Sequence, residues 1–98
     1  MILRLTPAAE ADVVSILSWY SERGHELGDQ FFEALEQCFE SIRHNALAFA
    51  KVHQDIRRAL LRRFPYCVFF IISEQEIVVL ACVHGHRDPE TWKGRHYT

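Results

Sequence analysis

The chain is short of everything that breaks a sequence into pieces. Four glycines and three prolines in 98 residues are too few for a disordered tail or a low-complexity spacer, and no internal repeat or linker divides it. A long hydrophobic run is missing as well. The longest, residues 64–72, contains Pro65 and is less than half of the roughly 20 residues that a bilayer-crossing helix requires. No basic segment precedes an apolar run at the N-terminus, so no signal peptide is expected. Cysteine pairs are absent too. Cys38, Cys67 and Cys82 are odd in number, form no CxxC, and each sits inside an apolar run. That is the pattern of small core residues in a reducing compartment, and a cytoplasmic domain is the expectation.

Strong charge of one sign is also lacking. The formal net charge is −2, whereas a protein that grips nucleic acid over its whole surface is normally more basic. The small total hides a polarity: residues 1–40 hold two basic residues, Arg4 and Arg23, against eight acidic ones, and residues 41–98 hold nine basic against five acidic. The second half can present a local positive patch to phosphates or to an acidic protein. What the chain has in quantity is apolar. With 49% hydrophobic and 12% aromatic residues, it can build one core and one domain spanning 1–98, and not two.

Residues 2–5 alternate weakly and read as a short strand. Thr6-Pro7 reads as a helix start, with Thr6 as the N-cap and Pro7 at the first helical position. Ala9, Val13, Ile16, Leu17 and Tyr20 then recur at helical spacing, and Gly24 is the stop. A second helix is expected to begin near Leu27 or Gly28, with Asp29 as an alternative cap, after a link of about four residues. Its apolar stripe is Phe31, Ala34, Leu35, Cys38 and Ile42, and its end is Asn45. Two helices so joined pack as an antiparallel hairpin. Residues 46–55 have no period and read as a connection. Residues 56–64 place arginines around Ala59, Leu60 and Leu61, and residues 66–72 form a continuous apolar run suited to a strand covered on both faces. A polar turn at 73–76 leads to a further apolar strand at 77–83, and Gly85 ends it. The fold class is α+β, in the order β-α-α-β-β-β: a helical hairpin packed on an antiparallel sheet.

Taken in order, these segments resemble a family. Ala11-Asp12 with Trp19-Tyr20, Leu27-Gly28 with Phe31-Phe32, Arg63-Phe64-Pro65-Tyr66, and the ending His84-Gly85-His86-Arg87-Asp88-Pro89 with Trp92 are similar to the RelE/ParE superfamily of toxins from bacterial type II toxin–antitoxin pairs. The resemblance covers nearly the whole chain. It implies a small toxin held inactive by a cognate antitoxin that wraps an extended or helical segment around it. A toxin dimer or a larger toxin–antitoxin assembly is left open, and no cofactor or membrane is implied. Within the superfamily, RelE-like members cut messenger RNA on the ribosome with lysines, arginines and a terminal tyrosine or histidine. ParE-like members lack that set and inhibit DNA gyrase.

The candidate residues divide along the same line. Metal-free RNA cleavage needs a base, cations for the phosphate and an acid for the leaving oxygen; Arg58, Arg62, His84, His86, Arg87 and Tyr97 are the set available for it. Yet only Lys51 and Lys93 are lysines, with no cluster before the arginine-rich strand, and Trp92 stands nearer to Arg87 than Tyr97 does. Tryptophan transfers no protons. The chain is therefore closer to ParE-like members, with no catalytic residues expected; a RelE-like mRNA interferase using that set, or a non-toxic relic that only binds its partner, is the alternative. Arg87, Trp92 and Arg95 are the candidate target contacts, and Trp19, Arg57, Arg58, Leu60 and Arg62 the candidate antitoxin contacts. Strand alternation places Arg58 and Arg62 with Leu60 on one face and Arg57 and Arg63 on the other. Long basic side chains on an exposed strand also serve simply to protect its edge, and Arg87 has Asp88 and Glu90 at hand for a plain salt bridge. His84, His86 and His96 lack a carboxylate or cysteine at helpful spacing, so no metal site is expected.

Overall fold

The computed structural model describes residues 1–95. Strand β1 (Ile2–Leu5) leads into helix α1 (Pro7–Arg23) and helix α2 (His25–His44). A 3-10 turn (Ala46–Ala48) then precedes strands β2 (Lys51–His53), β3 (Ile56–Leu60), β4 (Tyr66–Ser73) and β5 (Glu76–His84), and a one-turn helix α3 (Glu90–Lys93) follows. The sheet order is β1-β5-β4-β3-β2. The class is α+β with the helical hairpin on the sheet, as expected, but the sheet is mixed. β1 lies parallel to β5, with Ile2 opposite Glu76 and Leu5 opposite Val79, while every other pair is antiparallel. The hairpin supplies the long crossover that a parallel neighbour requires.

Local chemistry sets the element ends. Thr6 is extended and its Oγ1 accepts the Ala9 N–H at 3.2 Å, while Pro7 opens α1 where no N–H is needed. The corner between the helices is tighter than the expected four residues. Gly24 alone makes it, its carbonyl accepting the N–H groups of Leu27 and Gly28, so α2 starts at His25. The apolar stripe of α2 is buried as read, with Phe39 added. In α1 only Ala9 is fully buried, and Val13, Ile16, Leu17 and Tyr20 are half-buried against the core.

The connection at 46–55 contains more structure than its lack of period suggested: the 3-10 turn and the three-residue strand β2. Strand β3 is shorter than expected and ends at Leu60, so Arg62 and Arg63 lie in the following turn, where Arg63 takes a φ of 70°. Within the strand the alternation holds. Ala59 belongs to the helix side with Val68 and Phe70, and Ile56 to the opposite side with Phe69 and Ile71. β4 and β5 are buried on both faces. A bulge opposite Phe69 and Phe70 puts Leu80 and Ala81 on the same side, after which Cys82 returns to the helix side. The face away from the hairpin is sealed by Trp92, whose ring stacks on Phe69 with centroids 4.0 Å apart and planes 14° apart.

Candidate functional site

The geometry of the C-terminal end follows from a strand that stops early. β1 accompanies β5 only to Val79, whose carbonyl accepts the Thr6 N–H before the chain turns into α1. The last residues of β5 are thus left with an open edge, and two side chains take the place of the missing strand. Asp12 of α1 accepts the Cys82 N–H at 2.9 Å. Arg95 donates to the Leu80 carbonyl at 2.9 Å and to both Asp12 oxygens, at 2.6 and 3.3 Å. The pair is bidentate and mostly shielded, with side chains 18% and 21% exposed, which is the strong form of a charged hydrogen bond. Sequence reasoning quoted Asp12 only as part of a motif and gave it no role. The partners stand 83 residues apart, and no local signal joins them.

Beyond β5 the chain turns sharply. The Arg87 N–H donates to the His84 carbonyl, and the Asp88 carboxylate accepts the Glu90 N–H at 3.0 Å, starting α3. Between this turn, α1 and the open end of β5 lies a cleft of about 350 Å³. Ser15, Trp19, Tyr66, His84, Arg87 and Thr91 line it, together with the Asp12–Arg95 pair. His84 Nδ1 accepts the His86 N–H at 3.1 Å, an arrangement in which the neutral ring carries its proton on Nε2 and turns a donor to the cleft. Burial, together with the neighbouring Tyr20, raises the Tyr66 phenol above its ordinary range. Burial also pushes the Cys38 thiol up to about 11 and the Cys82 thiol up to about 12, and Cys67 moves in the same direction. None of these groups offers a nucleophile near neutral pH.

A larger groove, of about 600 Å³, runs between α2 and β3, with Ala34, Cys38, Phe49 and Leu60 among its apolar walls and Glu40, His44 and Arg62 at its rim. β2 pairs with β3 only as far as the bond from the Arg58 N–H to the Ala50 carbonyl. Past that point β3 has no neighbouring strand on this side, and Leu60 is 67% exposed.

The residues read from the sequence fall in several places. Of the target candidates, Arg87 and Arg95 line the C-terminal cleft, while Trp92 is 6% exposed and packed on the far face of the sheet. Of the antitoxin candidates, Leu60 and Arg62 meet at the α2–β3 groove and Arg58 is exposed on β3. Arg57 holds the 3-10 turn, donating to the carbonyls of Phe49 at 2.7 Å and Leu47 at 3.4 Å. Trp19 belongs to the other cleft. It is 49% exposed, with the Arg23 guanidinium 3.6 Å above its ring. Of the cleavage set, His84 and Arg87 share the cleft, Arg58 and Arg62 lie outside it, His86 is exposed, and Tyr97 lies outside the described residues, as does His96. Among the described residues no three His, Cys, Asp or Glu side chains gather as a metal site, and no helix is long and apolar enough to cross a membrane.

The comparison with known proteins agrees with this architecture. No curated protein matches the chain. A solved structure described as the chromosomal ParDE TA system from P. aeruginosa has the same fold, with a TM-score of 0.75 and 23% identity, over 86% of this chain and 95% of that one. The family model for the ParE toxin of the type II toxin–antitoxin system parDE matches residues 3–89. With nine-tenths of its length under that match and the hairpin-on-sheet fold on the page, the chain belongs to the ParE toxin family.

Proposed function

We propose that the protein is a toxin that inhibits DNA gyrase by binding it, without bond chemistry of its own, and that a cognate antitoxin neutralises it in the cytoplasm. The observation that carries the reading is the chemistry of the C-terminal cleft. Among the described residues it has cations and hydrogen-bond donors but no group free to take a proton: Asp12 is paired with Arg95, His84 has its Nδ1 lone pair engaged, Tyr66 stays a phenol, and no lysine lines the walls. That composition favours binding over cleavage. Arg87 is the target contact within it, while Trp92 and Arg95 hold the segment that presents Arg87.

The α2–β3 groove is the seat of the antitoxin. Its apolar floor, its arginine rim and the unpaired edge of β3 suit an extended segment that adds to the sheet while burying apolar side chains. Changing Leu60 and Arg62 together to Glu weakens rescue by the co-expressed antitoxin and leaves toxicity in its absence; equal rescue removes this groove as the seat.

The primary test is a short induction of the chain alone in bacteria, following DNA and protein synthesis with labelled precursors. DNA synthesis falls first, the cells filament, and purified protein blocks supercoiling of relaxed plasmid by gyrase. Arrest of protein synthesis within minutes while DNA synthesis continues points instead to messenger RNA cleavage and overturns the gyrase reading.

A further inference from the structure

We infer that the cleft between α1 and the open end of β5 is a carboxylate site, taking one aspartate or glutamate side chain of the protein target. This deepens the target-binding reading above, on which it rests, by naming what the cleft recognises. The inference starts from a count of charges. Arg95 is neutralised by Asp12 across a bidentate pair. Arg87 is exposed, and among the described residues its guanidinium has no ion pair. Asp88, its neighbour, is occupied by the Glu90 N–H. Among the described residues that line the cleft, Arg87 is therefore the cation without an ion pair, and its planar fork matches a carboxylate in two parallel hydrogen bonds.

The other walls favour an acceptor. His84 carries a proton on Nε2, and Ser15 and Thr91 contribute hydroxyls. The volume of about 350 Å³ admits an acidic side chain with accompanying water and has a half-exposed tryptophan, Trp19, at one wall.

A phosphodiester strand satisfies the same donors but not the surroundings. Arg87, with Arg23 stacked on Trp19 beside the cleft, can meet one or two phosphates, and no row of basic side chains among the described residues lining the cleft continues a track for a longer strand. The half of the chain that supplies α1 holds eight acidic residues against two basic ones, among them Glu10 and Glu22 on α1 itself. A lone carboxylate brings a single charge towards those acids, whereas a strand brings one with every phosphate.

The site is tested first without any target. A short peptide with one glutamate, its glutamine counterpart and inorganic phosphate are titrated separately into the labelled protein at fixed ionic strength, with NMR on the Arg87 side chain and the His84 ring. The glutamate peptide shifts both sets of signals saturably, the glutamine peptide does not, and Arg87→Ala abolishes the response. Equal response to glutamate and glutamine, response to phosphate alone, or no response overturns the inference, phosphate alone pointing to a nucleic acid.

Gyrase then separates this inference from the reading beneath it. Arg87→Ala raises the concentration needed to block supercoiling by about tenfold or more, and Arg87→Lys recovers part of the loss because lysine is a point charge without the fork. Wild-type inhibition that Arg87→Ala leaves intact overturns the inference and keeps the gyrase reading. Absence of inhibition by the wild type overturns the gyrase reading, while the peptide titration still decides what the cleft binds.

Discussion

Asp12 answers for two groups: the Cys82 N–H on the open edge of β5 and the guanidinium of Arg95, which it shares with the Leu80 carbonyl. Replacing it leaves a buried amide unpaired and a shielded cation without its counter-charge, the costly way to break such a pair. Asp12→Ala is expected to destabilise the fold by about 2–4 kcal/mol, Arg95→Met by less because Asp12 keeps the Cys82 N–H as a partner, and the double change by less than the sum. Urea unfolding of the four proteins checks this cycle. The thiols set a second expectation at this scale. Cys38 and Cys82 hold their protons in the folded state up to about 11 and about 12, against 9.0 for an ordinary thiol, chiefly through burial. Above pH 9 the unfolded chain therefore binds fewer protons than the folded one. Their contribution is complete below that pH and is lost as pH rises through 9 towards 12, by up to about 1.4 kcal/mol per unit for each thiol. Unfolding measured from pH 7 to 11 shows the decline, and replacing both cysteines by alanine reduces its slope.

Between elements, α2 passes close to α1 at Gly28. A Cβ built there meets Ser21 Oγ at 2.2 Å and the Ser21 Cα at 3.3 Å, so turning the serine side chain relieves only part of the contact. Gly28→Ala improves helix propensity by about 1 kcal/mol yet is expected to lower stability by about 1–3 kcal/mol through overpacking. Adding Ser21→Gly recovers part of the loss, and thermal unfolding of both variants measures it. This contact shows where sequence reading stops. Thr6-Pro7, the stripe from Phe31 to Ile42 and the continuous run in β4 were legible because the signal is local or periodic. The one-residue corner at Gly24, the parallel placement of β1 and the existence of β2 were not. They depend on how elements meet, and a strand of three residues is too short to show a period. The same limit applies to function: the ending from His84 to Trp92 was legible as the place to look, but Arg95 acquires its role only through Asp12 on α1.

At the scale of the whole molecule, Trp92 and Arg87 stand five residues apart and serve opposite ends. Trp92 closes the sheet face that the hairpin leaves uncovered, resting on Phe69 beside Ile56, Ile71 and Val83. Arg87 touches none of the core and projects from the turn that Trp92 anchors. Removing either is expected to abolish toxicity, for different reasons. Trp92→Ala opens a cavity on the face that Trp92 covers and costs about 3–5 kcal/mol, a large share of the stability of a domain this small; its toxicity is lost with its fold. Arg87→Ala leaves the unfolding transition within about 0.5 kcal/mol of wild type, as an exposed side chain without an ion pair among the described residues should, and loses toxicity while folded. Trp92→Phe keeps an aromatic plane on Phe69 and restores most of both. Growth inhibition and urea unfolding, measured on the same three variants, separate the residue that builds the platform from the one that uses it. If Arg87→Ala is as toxic as wild type, the working surface lies elsewhere on the molecule.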